Sequence, residues 1–193
     1  MKFNRAHKSS ILLLSIFTIV FLAGCQNDSG DGKAADSEVT HRKSPIAIST
    51  VKHEGTYIKV VYGQPYRRGR TIFGDLEEWG EVWRTGANEA TEITITKAVL
   101  MGVESIPAGT YSLFTIPEPD SFTVILNHEL GQWGAFEYNP DRDYKRMKFP
   151  VKNLKSPVEA FTIEFSEPAQ SMTTMTMKWG VVQVDVPIRF YGD

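Results

Sequence analysis

The chain has 193 residues, with 21 lysines and arginines against 23 aspartates and glutamates, a formal net charge of −2, and a single cysteine. The acidic balance excludes the broad basic face that nucleic-acid binding requires. One cysteine excludes an internal disulfide, the usual staple of exported proteins, so the fold must stand on its hydrophobic core.

The first element in chain order is a secretory signal. Lys2, Arg5 and Lys8 make a basic start, and Ile11 to Leu22 is almost wholly apolar. That run falls short of the roughly 20 residues a membrane span needs, which disfavours the alternative of an uncleaved anchor. It ends in Leu22-Ala23-Gly24-Cys25, a lipobox, and Cys25 is the lone cysteine. The expectation is cleavage before Cys25 and attachment of acyl chains such as palmitate to that residue. Stable anchoring takes more than one such chain. Cleavage removes three basic side chains and no acidic ones, so the mature chain is more acidic still. The expected location is the bacterial cell envelope with the lipid bilayer as first partner. Gln26 after the cysteine is compatible with the outer membrane, on its periplasmic or surface face.

Residues 1–24 therefore read as signal peptide, 25–44 as lipidated cysteine and linker, and 45–193 as one folded domain. Gln26 to Ser44 is polar and small, with Asp28, Asp31, Asp36 and Glu38 and only Val39 as a large apolar residue. Such composition cannot bury a core and predicts disorder.

From Ile46 the texture changes to short runs of β-branched and aromatic residues broken by Gly, Pro, Asn and Asp. Strands are predicted at Ile46–Val51, Thr56–Tyr62, Thr91–Thr96, Val99–Val103, Gly109–Ile116, Phe122–Leu126, Gly134–Tyr138, Val158–Phe165, Thr173–Trp179 and Val181–Pro187. Ile58, Val60 and Tyr62 alternate on one face, as do Ile93 and Ile95. Pro107-Ala108-Gly109 reads as a turn, and Phe73–Val82 as a short helix. The fold class is all-β, a single antiparallel β-sandwich or jelly-roll-like domain.

The segment Gly63 to Thr91 carries the densest chemistry. Arg67, Arg68, Arg70 and Arg84 fall among Tyr66, Trp79, Trp83, Asn88 and Glu89. Arginine offers a rigid fork for carboxylate or phosphate, and tryptophan a flat apolar face for a sugar ring or guanidinium. In a binding reading Trp83 is the platform, Arg70 and Arg84 are charge clamps, Asn88 is an orienting hydrogen-bonder, and Glu89 completes the ligand-binding set. The alternative is that the arginines pair with Glu77, Glu78, Glu81 and Glu89 in a solvated network that holds a long loop. A loop of this length on a β-scaffold is itself unusual, and long loops are where binding concentrates.

Several motifs carry a family resemblance: Gly63-Gln64-Pro65, Gly69 to Gly74, Val82 to Thr91, Pro107 to Phe114, and Gln132-Trp133-Gly134. Over about Ile46 to Pro187 the chain resembles the bacterial domain of unknown function 2911 family. The resemblance implies an exported, all-β envelope protein and transfers no catalytic residue. Gln64 stands where a typical member has arginine, keeping donors and dropping a charge.

Other candidates are thinner. Met172, Met175, Met177 and Trp179 could present soft ligands to copper(I), but alternate methionines on a strand equally make a core face. His53 and His128 are too few for a three-histidine metal site, and His128 reads as a turn residue. Asn139-Pro140-Asp141-Arg142-Asp143 lacks the glycine and terminal glutamate of a calcium loop and reads as a surface turn. No cofactor or metal is indicated, and no nucleophile elbow, phosphate loop or zinc-protease helix occurs.

Three functions fit this pattern. The first is a tethered module binding a glycan or other anionic small molecule of the envelope. The second is a structural lipoprotein contacting envelope proteins through an exposed apolar patch. The third is a carboxylate-dependent hydrolase, which needs an acid buried in a cleft with raised pKa. The missing nucleophile and metal motifs set that third reading, and enzymatic activity generally, behind the other two.

Overall fold

The first hairpin joins β1 (Ile46–His53) to β2 (Thr56–Gly63), in a computed structural model that describes residues 42–191. The expected signal peptide, Cys25 and the expected linker up to residue 41 lie outside the described residues. Between the strands Glu54 and Gly55 take φ of 45° and 72°, a left-handed pair whose twist suits a two-residue hairpin turn. Ile58, Val60 and Tyr62 of β2 are buried while Tyr57, Lys59 and Val61 are partly exposed, the period-2 pattern of a strand with one face on the core.

The sheet continues through β3 (Thr91–Ile95), skips a short hairpin of β4 (Val99–Met101) and β5 (Glu104–Ile106), and resumes with β6 (Gly109–Pro117) and β7 (Ser121–Asn127). Two long strands follow, β8 (Asp143–Phe165) and β9 (Met172–Phe190). The nine strands form one antiparallel sheet in the order β1-β2-β3-β6-β7-β8-β9-β4-β5. Residues Asp143–Pro150 of β8 pair with β7, whereas from Val151 onward β8 pairs with β9. Register shifts after Asn153 and Val158 mark the passage, as bulges do where a strand bends.

Side chains from both halves share one core. Ile58, Ile93, Leu113 and Val124 belong to the same buried cluster as Met175, Met177, Val184, Val186 and Ile188, so the chain is all-β and sandwich-like. Each such side chain contributes about 1.5–3 kcal/mol by leaving water. Tyr62 ties the halves together: its hydroxyl accepts from the Ile163 backbone N–H at 3.0 Å, and its ring meets Phe161 edge-on. Past the end of β2, Arg67 N–H donates to Glu159 O at 2.7 Å and Phe161 N–H to Pro65 O at 2.8 Å. This pairing brings Pro65–Arg67 beside β8 and starts the long loop from a fixed point. Gln64 strengthens the seam, its side-chain amide donating to Phe161 O at 3.0 Å.

Most expected strands form, with four corrections. Phe73–Val82 is a series of turns, because Gly74 and Gly80 take φ of 85° and 80°, incompatible with a helix. Gly134–Tyr138 is also turns, opened by Gly134 at φ 74°. Val99–Val103 breaks at Gly102 into the turn between β4 and β5. Thr173–Trp179 and Val181–Pro187 are one strand, with Gly180 at φ 56° absorbing the irregularity. The Pro107–Ala108 turn between β5 and β6 is as expected.

Candidate functional site

The loop from Gln64 to Ala90 is held by its C-terminal end. Trp83 and Thr115 of β6 exchange backbone hydrogen bonds at 2.7 and 2.9 Å. Thr85, fully buried at φ 55°, donates its hydroxyl to Thr115 Oγ1 at 3.1 Å and receives the Thr91 hydroxyl on its carbonyl at 2.7 Å. A non-glycine residue at positive φ is strained, and persists only where its surroundings fix it. Here three hydrogen-bonded threonines do so. Gly63 lies so close to the loop that a Cβ there would sit 1.9 Å from Ala87 O. The Trp-Arg-Thr-Gly-Ala-Asn-Glu run is thus first a lock that fastens a long loop to the sheet.

Trp83 does not serve as an open platform. It is 3% exposed, stacked on Trp179 at 5.8 Å and edge-on to Phe73 and Phe161, while its indole N–H donates to Gly86 O. A ring packed among core aromatics at 3% exposure leaves no face on which a sugar can stack. Arg84 is partly buried, and its Nε has no hydrogen-bond partner. Near it Glu77 is pushed up to about 7, because burial outweighs the opposing charges of Arg84 and Arg70. Glu77 is the acid that comes closest to what a hydrolase requires, but it lines neither of the clefts described below. The expected glutamate network is also not what fastens the loop; Glu89 pairs outward with Arg42, which holds its carboxyl below the ordinary range.

Arg70 and Asn88 do converge. They line a cleft of about 270 Å³ with Lys43, Ser44, Pro65, Tyr66 and Arg68. The Arg70 guanidinium donates from Nε to Arg67 O at 2.9 Å and from Nη2 to Tyr66 O at 2.8 Å, which fixes its orientation. Asn88, at φ 66°, belongs to the same lining. Arg68 reaches Lys43 O with a long 3.3 Å bond, and the Glu159 carboxylate nearby accepts from the Arg68 backbone N–H instead. Three cationic residues therefore line one concavity whose lining, among the described residues, holds no carboxylate. Sequence reasoning missed Lys43, since it lies in the polar stretch read as linker.

Glu89 faces a different cleft, of about 230 Å³, with Ile46, Tyr62, Ala90, Glu92 and Gln132 in its lining. Gln132 was not a candidate residue; its place directly before the exposed Trp133 in a turn-rich stretch was the available signal.

The remaining candidates are structural. Met175 and Met177 are in the core beside Trp179, as the core reading of that strand expects. His128 packs on Tyr111 and Tyr144 in the bend after β7. Asp143 accepts from Asn127, Tyr138 and Arg146, which makes the Asn139–Asp143 segment a pinned turn and pushes the Tyr138 hydroxyl, already raised by burial, up to about 12.

Comparison with curated proteins and with solved structures gives no match. Residues 44–188, most of the chain and nearly all of the described domain, match the family described as Protein of unknown function (DUF2911), and the chain belongs to that family.

Proposed function

We propose that the protein is a lipid-tethered envelope module that binds an anionic, glycan-type ligand in the cleft of Lys43, Arg68, Arg70 and Asn88. The observation that carries this reading is the convergence of three cations on a cleft with no lining carboxylate. Cations on a concave surface raise the local concentration of anions, and the arginine fork matches carboxylate or phosphate oxygens in pairs. The cleft is smaller than the roughly 300–1,000 Å³ of a drug-sized pocket. It suits one acid group on one sugar unit.

Titration of the detergent-solubilised full-length protein with glucuronic acid, followed by amide NMR shifts, tests this. Binding is expected to weaken as salt rises and to fall at least tenfold in Arg68→Ala, whose side chain is exposed and loosely held. Glucuronic acid that leaves the cleft resonances unmoved, or binds Arg68→Ala equally well, ends the reading. A second reading, contact with an envelope protein, is favoured by the exposed Leu130, Trp133 and Phe136 on one segment. Crosslinking from position 136 in intact cells would capture that partner.

A further inference from the structure

Part-way along their pairing, β8 and β9 lose register. Asn153 lies opposite Val182 and Val158 opposite Gly180, so residues 154–157 of β8 face Val181 alone. Gly180 takes φ of 56° at the same place, and a strand bulged in this way leaves its ladder open. A cleft of about 250 Å³ occupies the opening, with Asn153, Gly180, Val181 and Val182 in its lining. The long loop adds Arg67, Ile72, Phe73 and Trp79. Ile72 and Phe73 are buried, whereas Trp79 and Val181 are 38% and 50% exposed.

Trp79 is a fixed ring as well as an open one. It packs on Phe73 with ring centroids 5.8 Å apart. It also closes on Gly74 so tightly that a Cβ there would sit 2.3 Å from its Nε1. Trp79 and Pro119 are shared with a shallower cleft whose cation, Lys148, is already paired with Glu118 at 2.7 Å. Arg67 differs. It is the one cation in the lining of the first cleft, which holds no carboxylate. Its Nε donates to Arg70 O at 2.8 Å, and among the described residues no carboxylate pairs with it. Size and polarity narrow the occupant further. An apolar cavity of about 150 Å³ takes up benzene, so this cleft admits a fused ring pair. A sugar would press several hydroxyls against Ile72, Phe73, Val181 and Val182, where desolvating them costs free energy. A flat aromatic body does not, and it stacks on indole.

We infer that the cleft beside Trp79 is a separate binding site for a flat aromatic carboxylic acid. The ring system lies against Trp79 and Val181, and the carboxylate accepts hydrogen bonds from the Arg67 guanidinium, a charge-assisted pairing. The single unpaired cation makes the site select an acid over an amine with the same ring. This cleft shares no lining residue with that of Lys43, Arg68 and Arg70, so it stands or falls independently of the uronic acid reading.

The test is a titration of the full-length protein in detergent with three ligands that share one ring: indoleacetate, its neutral amide indoleacetamide, and the cation tryptamine. The readout is the Trp79 indole N–H resonance, assigned by its loss in Trp79→Phe. Indoleacetate is expected to move that resonance and to bind about tenfold more tightly than the amide, with tryptamine weaker still. Arg67→Gln is expected to bring the acid down to the affinity of the amide while leaving the amide unchanged. Val181→Glu, at a half-exposed strand position that folding tolerates, sets a carboxylate in the cleft and is expected to abolish binding of the acid. Glucuronic acid is expected to bind both variants as it binds the parent. A Trp79 resonance that no ligand moves, an acid that binds no more tightly than the amide, or a preference for the acid that survives Arg67→Gln or Val181→Glu overturns the inference.

Discussion

Glu77 shows how a single carboxyl can record its surroundings. Burial favours its neutral form more than Arg84 and Arg70 favour the charged one, lifting it from 4.5 to about 7. The folded state then holds this proton more tightly than the unfolded state does. Its stabilising contribution is complete below pH 4.5 and is lost as pH rises toward 7, after which the curve is flat. The full difference is about 3 kcal/mol. Glu77→Gln keeps the shape without the ionisation, so denaturant unfolding should show the variant gaining on the parent by that amount at pH 8 and matching it near pH 4. Parallel stability profiles across that range would refute the assignment. Trp83 shows where single residues defeat sequence reading. An aromatic flanked by arginine suits a ligand platform or a core plug equally well, and only the rings of Phe73, Phe161 and Trp179 decide for the core.

At the scale of elements, the long loop is a structural part as much as a functional one. Its return path crosses the end of β2 at a separation only glycine permits, with Ala87 N–H donating to Gly63 O at 3.1 Å. Gly63→Ala forces that crossing apart and is expected to cost roughly 1–3 kcal/mol, on the order of 2–10 °C in Tm for a domain of this size. A thermal melt unchanged by the substitution would mean that the crossing is looser than described. Strands with one wet face were legible for a clear reason: Ile58, Val60 and Tyr62, or Ile93 and Ile95, repeat at the pleat period. The first half of β8 was not, since Lys145, Arg146 and Lys148 surround its inward Met147 and Phe149 and swamp the alternation. The same limit hid part of both clefts. Lys43 and Gln132 lie far apart in sequence from the arginine-rich loop, and only the pairing of strands brings them to it.

For the whole molecule, the proposed tether at Cys25 and the cationic cleft belong to neighbouring stretches of chain. Arg42 pairs with Glu89 and Lys43 lines the cationic cleft, so the described chain begins at that cleft. Whatever its conformation, the stretch from Cys25 to Arg42 spans at most roughly 60 Å. On the proposed reading, with Cys25 acylated, the cleft is confined to a shell of that depth beside the bilayer, where confinement raises the effective concentration of a weak binder. Attachment and recognition are separable on this view. Cys25→Ser is expected to abolish incorporation of labelled palmitate and to move the protein from the membrane to the soluble fraction, while binding of glucuronic acid by the released protein is unchanged. On this reading recognition does not involve Cys25, so a loss of binding in that variant would tie recognition to the lipid. A Cys25→Ser protein that stays with the membrane would show that an uncleaved signal or a protein partner, and not the acyl chains, holds the domain there.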